Sequence, residues 1–211
     1  MNYNYEEYKE KLINYLNQIE GCFTAESFER LKNFMLKEDH PQGKSNVFLH
    51  APASTRFHCN FDGGLMIHSV NVVDKLLMLT EKMGLTWVRP ESPIIVGLLH
   101  DLCKTYNYEE SERNVKEKNP ITGKDEWVKK PVYVTHDIFP IGHHADKSLL
   151  MTMNLGIKLE AEEIACIRFH MGYAEGESVL VDYSNAKAKW VNCLWTNVAD
   201  ELATLEEPII K

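Results

Sequence analysis

Histidine and aspartate residues flank several apolar, helix-like segments of this chain, and both residue types bind divalent metal ions. The adjacent pair His100 and Asp101 closes the apolar run 94–99. Further residues of these types stand near other apolar segments, at His68, His143, His170 and Asp200. Neutral imidazoles and carboxylates together suit hard and borderline divalent cations. If these segments converge in the fold, the six side chains supply the ligands of one metal centre.

The pair of adjacent residues limits how such a centre can be arranged. On an ideal helix, neighbouring side chains point about 100° apart and do not share a face. His100 and Asp101 therefore reach one ion only if that ion lies between their directions. Alternatively, Asp101 bridges two ions, because a carboxylate has two oxygens. The sequence leaves both arrangements open.

Taken singly, residues of this kind have ordinary structural explanations. A lone histidine near an apolar face is usually a hydrogen-bonded structural residue, and we hold that view of His40, His50 and His136. Lys104 alone would be a charge at a helix C-terminus, where the helix dipole favours it. The metal hypothesis therefore depends on the whole set of histidines and aspartates.

Apolar residues at helical spacing predict that separate helices carry these side chains. The segment 65–83 is apolar on more than one face, which is typical of a central helix. Ser92 and Pro93 are good first residues for the next helix, which would run into the His-Asp pair. The other helices are predicted at 5–20, 24–38, 143–154, 160–171 and 185–206.

One segment of the chain has a different pattern. Residues 111–135 contain a turn signal at 119–123 between two partly alternating stretches, which predicts a β-hairpin or lid. We therefore expect an all-α fold with a small inserted β-hairpin. Residues 1–40 would form an N-terminal helical extension, and residues 41–211 would form the main domain.

Composition restricts the partners of the protein. The 211 residues carry a net charge of −8 without a long basic run, which argues against an extended nucleic-acid surface. No apolar stretch approaches the roughly 20 residues that span a bilayer, so no membrane partner is expected. Five cysteines without a C-x-x-C pair are typical of a reduced, cytoplasmic protein.

Five stretches of the chain resemble the metal-dependent HD phosphohydrolases: residues 52–58, 60–69, 98–104, 142–148 and 167–172. Residues 60–69 resemble the helix that carries the family's first histidine, and residues 98–104 resemble its His-Asp signature with a downstream lysine. Residues 52–58 resemble the segment that precedes the first histidine in one bacterial and phage branch. Residues 142–148 and 167–172 resemble the additional histidine motifs of that branch. The resemblance covers about three quarters of the chain, from about residue 50 to 205.

The resemblance implies an HD-domain helical core around a metal centre. The ligands of one ion would be His68, His100, Asp101 and Asp200. His143 and His170 would complete the site of a second ion, with Asp101 between the two. Mn²⁺, Fe²⁺, Co²⁺ or Ni²⁺ suits such a centre better than Mg²⁺, which prefers oxygen ligands and water.

The chain departs from the family pattern at His144, where a glycine-like residue is expected. His144 is therefore the alternative to His143 as the ligand that this motif supplies. Of the two histidines, we favour His143.

The resemblance also implies hydrolysis of a phosphate ester or anhydride in a small phosphorylated substrate such as a nucleotide. Asp101 and Lys104 would be catalytic, with Lys104 contacting the phosphate or the leaving oxygen. Weaker candidates for contacts with the substrate are Lys147, Arg56, His58 and Arg168. Two other functions stay open: a di-iron oxygenase of the HD type, and a non-catalytic nucleotide-binding module.

Overall fold

The computed structural model describes residues 3–136 and 139–209, and it is mostly helical. The first two residues of the predicted extension and residues 137–138 and 210–211 of the predicted domain lie outside the described residues. The helices are α1 (Tyr5–Ile19), α2 (Ala25–Met35), α3 (Gly64–Met83), α4 (Ser92–Leu99), α5 (His144–Asn154), α6 (Ala161–Arg168), α7 (Leu180–Lys189) and α8 (Asn192–Glu206). The strands are β1 (Tyr108–Lys118) and β2 (Asp125–Thr135).

Helix α3 lies at the centre of the packing, as its apolar sequence predicts. It contacts α1, α4 and α8, and its buried residues belong to one core cluster that includes residues of α1 and α2. Close approach of α4 requires Gly97, because a Cβ there would lie 2.9 Å from the backbone nitrogen of Val73. The division of the chain at residue 40 stays a prediction.

Two glycines let the start of α3 pack tightly against the preceding loop. Gly63 has a φ of +82°, which side chains of other residues rarely allow. A Cβ on Gly64 would lie 1.9 Å from the carbonyl oxygen of Cys59. This packing holds the loop that carries His58 beside the first turns of α3, where His68 lies.

The predicted hairpin is present and begins three residues before its predicted start. Strands β1 and β2 pair antiparallel, from Tyr108 opposite Thr135 to Lys118 opposite Asp125. The side-chain oxygen of Asn119 accepts hydrogen bonds from the backbone N–H groups of Ile121 and Thr122 and so closes the turn. The described chain thus has a helical core and one two-stranded sheet.

Three predicted helices differ from the structure by more than one residue at an end. The helix predicted at 24–38 ends at Met35. The single helix predicted at 185–206 was wrong, since α7 and α8 are separated at Trp190, whose φ of −131° and ψ of 95° are extended. The helix predicted at 160–171 ends at Arg168, because Phe169 leaves the helical conformation with φ −111° and ψ 20°. His170 therefore follows α6 instead of lying within it.

None of the described helices combines the length and the apolar character that crossing a membrane requires.

Candidate metal centre

Ends and turns of five helices bring imidazoles and carboxylates to one buried place. His68 comes from α3, and His100 and Asp101 follow the last residue of α4. Asp200 comes from α8. The remaining two residues are the first residue of α5 and the second residue after α6, His144 and His170. His68, His100, Asp101 and His170 are almost completely buried, and Asp200 is 9% exposed.

The first group of ligand atoms surrounds the Nε2 atom of His68. This nitrogen lies 3.2 Å from His100 Nε2 and 3.2 Å from Asp200 Oδ1. The Oδ2 atom of Asp101 lies 3.5 Å from His68 Nε2 and 3.2 Å from His100 Nε2. His68, His100 and Asp101 thus bring one nitrogen or oxygen each to a common point, and Asp200 contacts the nitrogen of His68 there.

The second group surrounds the other oxygen of Asp101. His144 Nε2 and His170 Nε2 are 2.9 Å apart. They lie 3.5 Å and 3.7 Å from Asp101 Oδ1, respectively. The rings of His100 and His170 connect the two groups, with ring centroids 4.9 Å apart. The carboxylate of Asp101 therefore lies between the groups and turns one oxygen toward each, as a bridging ligand would.

These separations fit a shared divalent cation. Two ligands about 2.1 Å from one ion and at right angles to each other are about 3.0 Å apart. The nitrogen and oxygen atoms of each group are separated by distances close to this value. The groups whose ligand atoms lie close enough together to hold a metal ion include His68 with His100 and Asp101, and Asp101 with His144 and His170.

The tautomers of two histidines follow from their backbone contacts. His100 Nδ1 lies 2.9 Å from the carbonyl oxygen of Gly97, and His170 Nδ1 lies 2.8 Å from that of Ile167. A carbonyl oxygen only accepts, so each Nδ1 carries a proton and donates it. The Nε2 atom of each ring, when it carries no proton, presents its lone pair to the centre. Lone pairs directed into the centre can bind a divalent cation there.

The charged states of the carboxylates also suit a cation. Burial alone would raise the pKa of Asp101, but the charges of Lys104 and His100 outweigh burial and hold that pKa well below its usual range. Burial likewise opposes ionisation of Asp200, yet its contact with His68 keeps the pKa of this carboxyl low. Both groups are therefore carboxylates at neutral pH.

The histidines of the second group are held neutral. Burial lowers the pKa of His144 to about 3, although the charge of Asp101 raises it in part. Burial and the neighbouring His100 lower the pKa of His170 as well. Neutral imidazoles and ionised carboxylates are the forms that bind metal.

One atom in the centre has no hydrogen-bond partner. Asp101 Oδ1 is buried and accepts no hydrogen bond from any residue in the described part of the chain. Leaving a buried acceptor unsatisfied costs about 1–3 kcal/mol, and more for a charged group. A cation at the second group would satisfy this oxygen, so the residues present fit a metal ion there.

The preference for His143 requires correction, because His144 is the histidine at the centre. His143 has an extended backbone, with φ −79° and ψ 166°, and precedes the first turn of α5. Its N–H donates to Asp146 Oδ2 at 2.8 Å, and its side chain is exposed. Asp146 three residues after His143 is the spacing of a helix capping box. This spacing in the sequence could have identified His144 as the first helical residue.

Lys104 lies beside the centre. Its Nζ is 2.6 Å from Asp101 Oδ2, and 14% of the side chain is exposed. Burial would lower the pKa of Lys104, but the Asp101 carboxylate raises it above its usual value. The ammonium group therefore keeps its charge next to the candidate ligands.

A cavity of about 390 Å³ adjoins the two groups and Lys104. Its lining includes both charged and apolar side chains: His58, Lys104, His144, Met171, Ala174, Asn197, Asp200, Glu201, Thr204 and Leu205. A molecule in this cavity would contact candidate ligands from both groups.

His58, like Lys104, was predicted to contact the substrate and lines this cavity. Its ring lies 4.7 Å from the ring of His68, measured between centroids. Neither ring nitrogen has a hydrogen-bond partner among the residues that the structure describes. Burial and the positive charges of His68 and Lys104 lower the pKa of His58 to about 4. A neutral ring with an unused N–H is available to a bound molecule.

The other predicted substrate contacts lie elsewhere. Arg56 is exposed on the loop before His58. The Nε of Arg168 pairs with Asp146 at 2.6 Å. Lys147 is buried in α5 and lines a separate hollow with Cys103. The structure therefore does not bring Arg56, Arg168 or Lys147 to the cavity that adjoins the centre.

Glu207, which no prediction from the sequence included, contacts Nδ1, the outer ring nitrogen of His68. Both oxygens of its carboxylate lie near His68 Nδ1, at 3.0 and 3.2 Å. Glu207 is 139 positions away from His68 and follows the last helix without any recognisable motif. No signal in the sequence could have found it.

Comparisons of the chain with protein-family models, curated proteins and solved structures found no match.

Proposed function

We propose that this chain is a metal-dependent phosphohydrolase of the HD superfamily that acts on a small phosphate ester, with nucleotides as the first class to test. The observation that carries the proposal is the position of Asp101. Its carboxylate lies between two groups of imidazoles and beside the ammonium of Lys104.

The proposed ligands follow from the geometry. One ion would be held by His68, His100, Asp101 and Asp200, and the second by Asp101, His144 and His170. A pair of divalent ions, when bound, lowers the pKa of a water and neutralises phosphate charge.

The chain's own residues would position the phosphate and stabilise its charge. Lys104 offers a permanent positive charge where the cavity meets the Asp101 carboxylate. Charge placed in advance at the equatorial oxygens is the main contribution that proteins make to phosphoryl transfer. His58 offers a neutral hydrogen-bonding group on the same cavity wall.

The cavity favours a small ester over a long anion. Lys104 is the only lysine or arginine in its described lining, whereas Asp200 and Glu201 carry negative charge there. Met171, Ala174 and Leu205 provide apolar surface for an organic group. A substrate with one phosphate and a compact apolar portion fits this distribution of charge.

The alternative of a di-iron oxygenase would use the same ligands. Imidazoles and carboxylates suit iron as well as manganese or cobalt. The ammonium of Lys104 beside Asp101 favours the phosphate hypothesis, because it supplies positive charge that an oxygenase ligand set does not require. Iron content and oxygen consumption of the purified protein distinguish the two chemistries.

The test is a panel of phosphomonoesters, phosphodiesters and nucleotides, assayed for phosphate release with Mn²⁺, Co²⁺ or Ni²⁺ added to chelator-treated protein. We expect metal-dependent release with wild type and none with Asp101→Asn. Asp62→Asn is the matched control, since Asp62 pairs with His50 away from the centre. Nucleotide binding without turnover under every metal would instead support the non-catalytic module.

A further inference from the structure

A chain of hydrogen bonds runs from the N-terminal helix to a candidate metal ligand. The hydroxyl of Tyr8 in α1 donates to Asn71 Oδ1 at 2.9 Å. The amide nitrogen of Asn71 donates to Glu207 Oε1 at 2.8 Å. Glu207 Oε2 lies 3.0 Å from His68 Nδ1. Four side chains thus connect α1, α3 and the residue after α8.

Each hydrogen bond in this series fixes the orientation of the side chain that makes the next one. The phenol hydroxyl of Tyr8 directs the carbonyl end of the Asn71 amide toward itself, which turns the NH₂ end toward Glu207. An ionised carboxylate only accepts hydrogen bonds, so Glu207 requires the proton of His68 on Nδ1. The Nε2 atom of His68 then faces Asp200 and Asp101, and it would present its lone pair there when a metal ion takes the place of its proton.

The position of Glu207 is itself firmly held. Its side chain has no exposed surface, and the next residue, Pro208, accepts a backbone hydrogen bond from Cys59 at 2.9 Å. The preceding residue, Glu206, pairs with Lys75 of α3 at 2.6 Å. Contacts of the residues before and after Glu207 therefore hold its backbone in place.

We infer that Glu207 is a positioning residue that orients His68 for the first metal ion, and that Asn71 and Tyr8 support Glu207 in this role. The inference rests on the proposed metal binding. Carboxylates that hold the outer N–H of a ligating histidine fix its tautomer and raise its basicity, and their loss lowers metal affinity about 10–100-fold.

A purely structural role for Glu207 makes a different prediction. If its carboxylate only neutralises charge in the core, its replacement would lower thermal stability without changing metal affinity or the tautomer of His68. The conservative variant Glu207→Gln keeps the shape of the side chain but removes its charge and replaces one of its two acceptor oxygens with an NH₂ donor. It therefore separates the two roles better than an alanine variant.

The experiment compares wild type with Glu207→Gln, Tyr8→Phe and Glu206→Gln. Mn²⁺ and Co²⁺ affinities are measured by calorimetry on chelator-treated protein, and the tautomer of His68 by nitrogen NMR of the ring with diamagnetic Zn²⁺ bound. Glu206 is a suitable control because its pair with Lys75 lies at the surface and does not contact His68. Circular dichroism checks that every variant is folded.

We expect Glu207→Gln to weaken the tighter metal binding about 10–100-fold and to release the tautomer of His68. Tyr8→Phe should weaken it about fivefold, as expected for one lost hydrogen bond. Glu206→Gln should stay within twofold of wild type. A folded Glu207→Gln protein with wild-type affinity and an unchanged tautomer would overturn the inference.

The outcome separates this inference from the proposed function. If wild type binds metal and Glu207→Gln binds it more weakly, but no phosphate ester is hydrolysed with any metal, the hydrolase proposal fails while the positioning role stands. If wild type binds metal and Glu207→Gln binds it equally well, the positioning role fails while the hydrolase proposal stands.

Discussion

The rings of His144 and His170 face each other through their Nε2 atoms, 2.9 Å apart. His170 donates from Nδ1 to the carbonyl of Ile167, so its Nε2 has a lone pair to offer. Asp101 Oδ1 lies within 3.7 Å of both nitrogens. This arrangement is the basis for assigning the second ion to His144.

The first prediction separates the two adjacent histidines. His144→Ala should reduce the bound metal from two ions per chain to one, because it removes a ligand of the second group only. His143→Ala should keep both ions, since His143 lies outside the centre with an exposed side chain. Metal content is measured by inductively coupled plasma mass spectrometry after dialysis. Retention of both ions in His144→Ala would return the ligand role to His143.

The second prediction concerns Lys104. Lys104→Met should keep both metal ions and lower kcat by about 10²–10³, the loss seen when one group that stabilises transition-state charge is removed. Activity is measured at saturating metal on the best substrate of the panel. Lys75→Met provides the control, since Lys75 pairs with Glu206 away from the cavity. Full activity of Lys104→Met would remove the role assigned to this lysine.

The third prediction compares two neighbours on one loop. His58→Ala should lower kcat/KM about tenfold, because its ring lines the cavity and its N–H is available to the substrate. Arg56→Ala should stay within twofold of wild type, since Arg56 is exposed and lies outside the cavity lining. Steady-state kinetics of both variants measure the change in kcat/KM. The reverse pattern would show that the substrate approaches from the side of Arg56.

The fourth prediction concerns removal of metal. Binding of an ion to the folded state alone, at one hundred times its dissociation constant, stabilises that state by about 2.7 kcal/mol. For a chain of this size that free energy corresponds to a rise in Tm of about 5–11 °C. Differential scanning fluorimetry of chelator-treated protein with and without Mn²⁺ measures the shift. An unchanged Tm at saturating Mn²⁺ would count against an ion in the core.

Much of the candidate site could be anticipated from the sequence. His68, His100, Asp101, Asp200 and His170 were singled out because they follow or interrupt apolar helical segments, and the structure brings them together. Their roles as metal ligands stay predictions. The hairpin was also predicted, because its alternating strands and its turn at Asn119 are local signals.

Other features depend on contacts that the local sequence does not encode. No glycine or proline near Trp190 indicates a helix break there, so one helix was predicted where α7 and α8 lie. Glu207 reaches His68 only because the segment after α8 folds back onto the loop at Cys59. The side chains of Arg168 and Lys147 lie outside the cavity lining, and their assignment as substrate contacts stays a prediction.

The most direct test of the account is to count the metal ions. Crystals of protein grown with Mn²⁺ or Co²⁺ should show two anomalous scattering peaks about 3.5–4 Å apart. One peak should lie among His68, His100 and Asp200, the other between His144 and His170, with Asp101 contacting both. Metal-soaked crystals with the same side chains in place and no anomalous peak between them would contradict it.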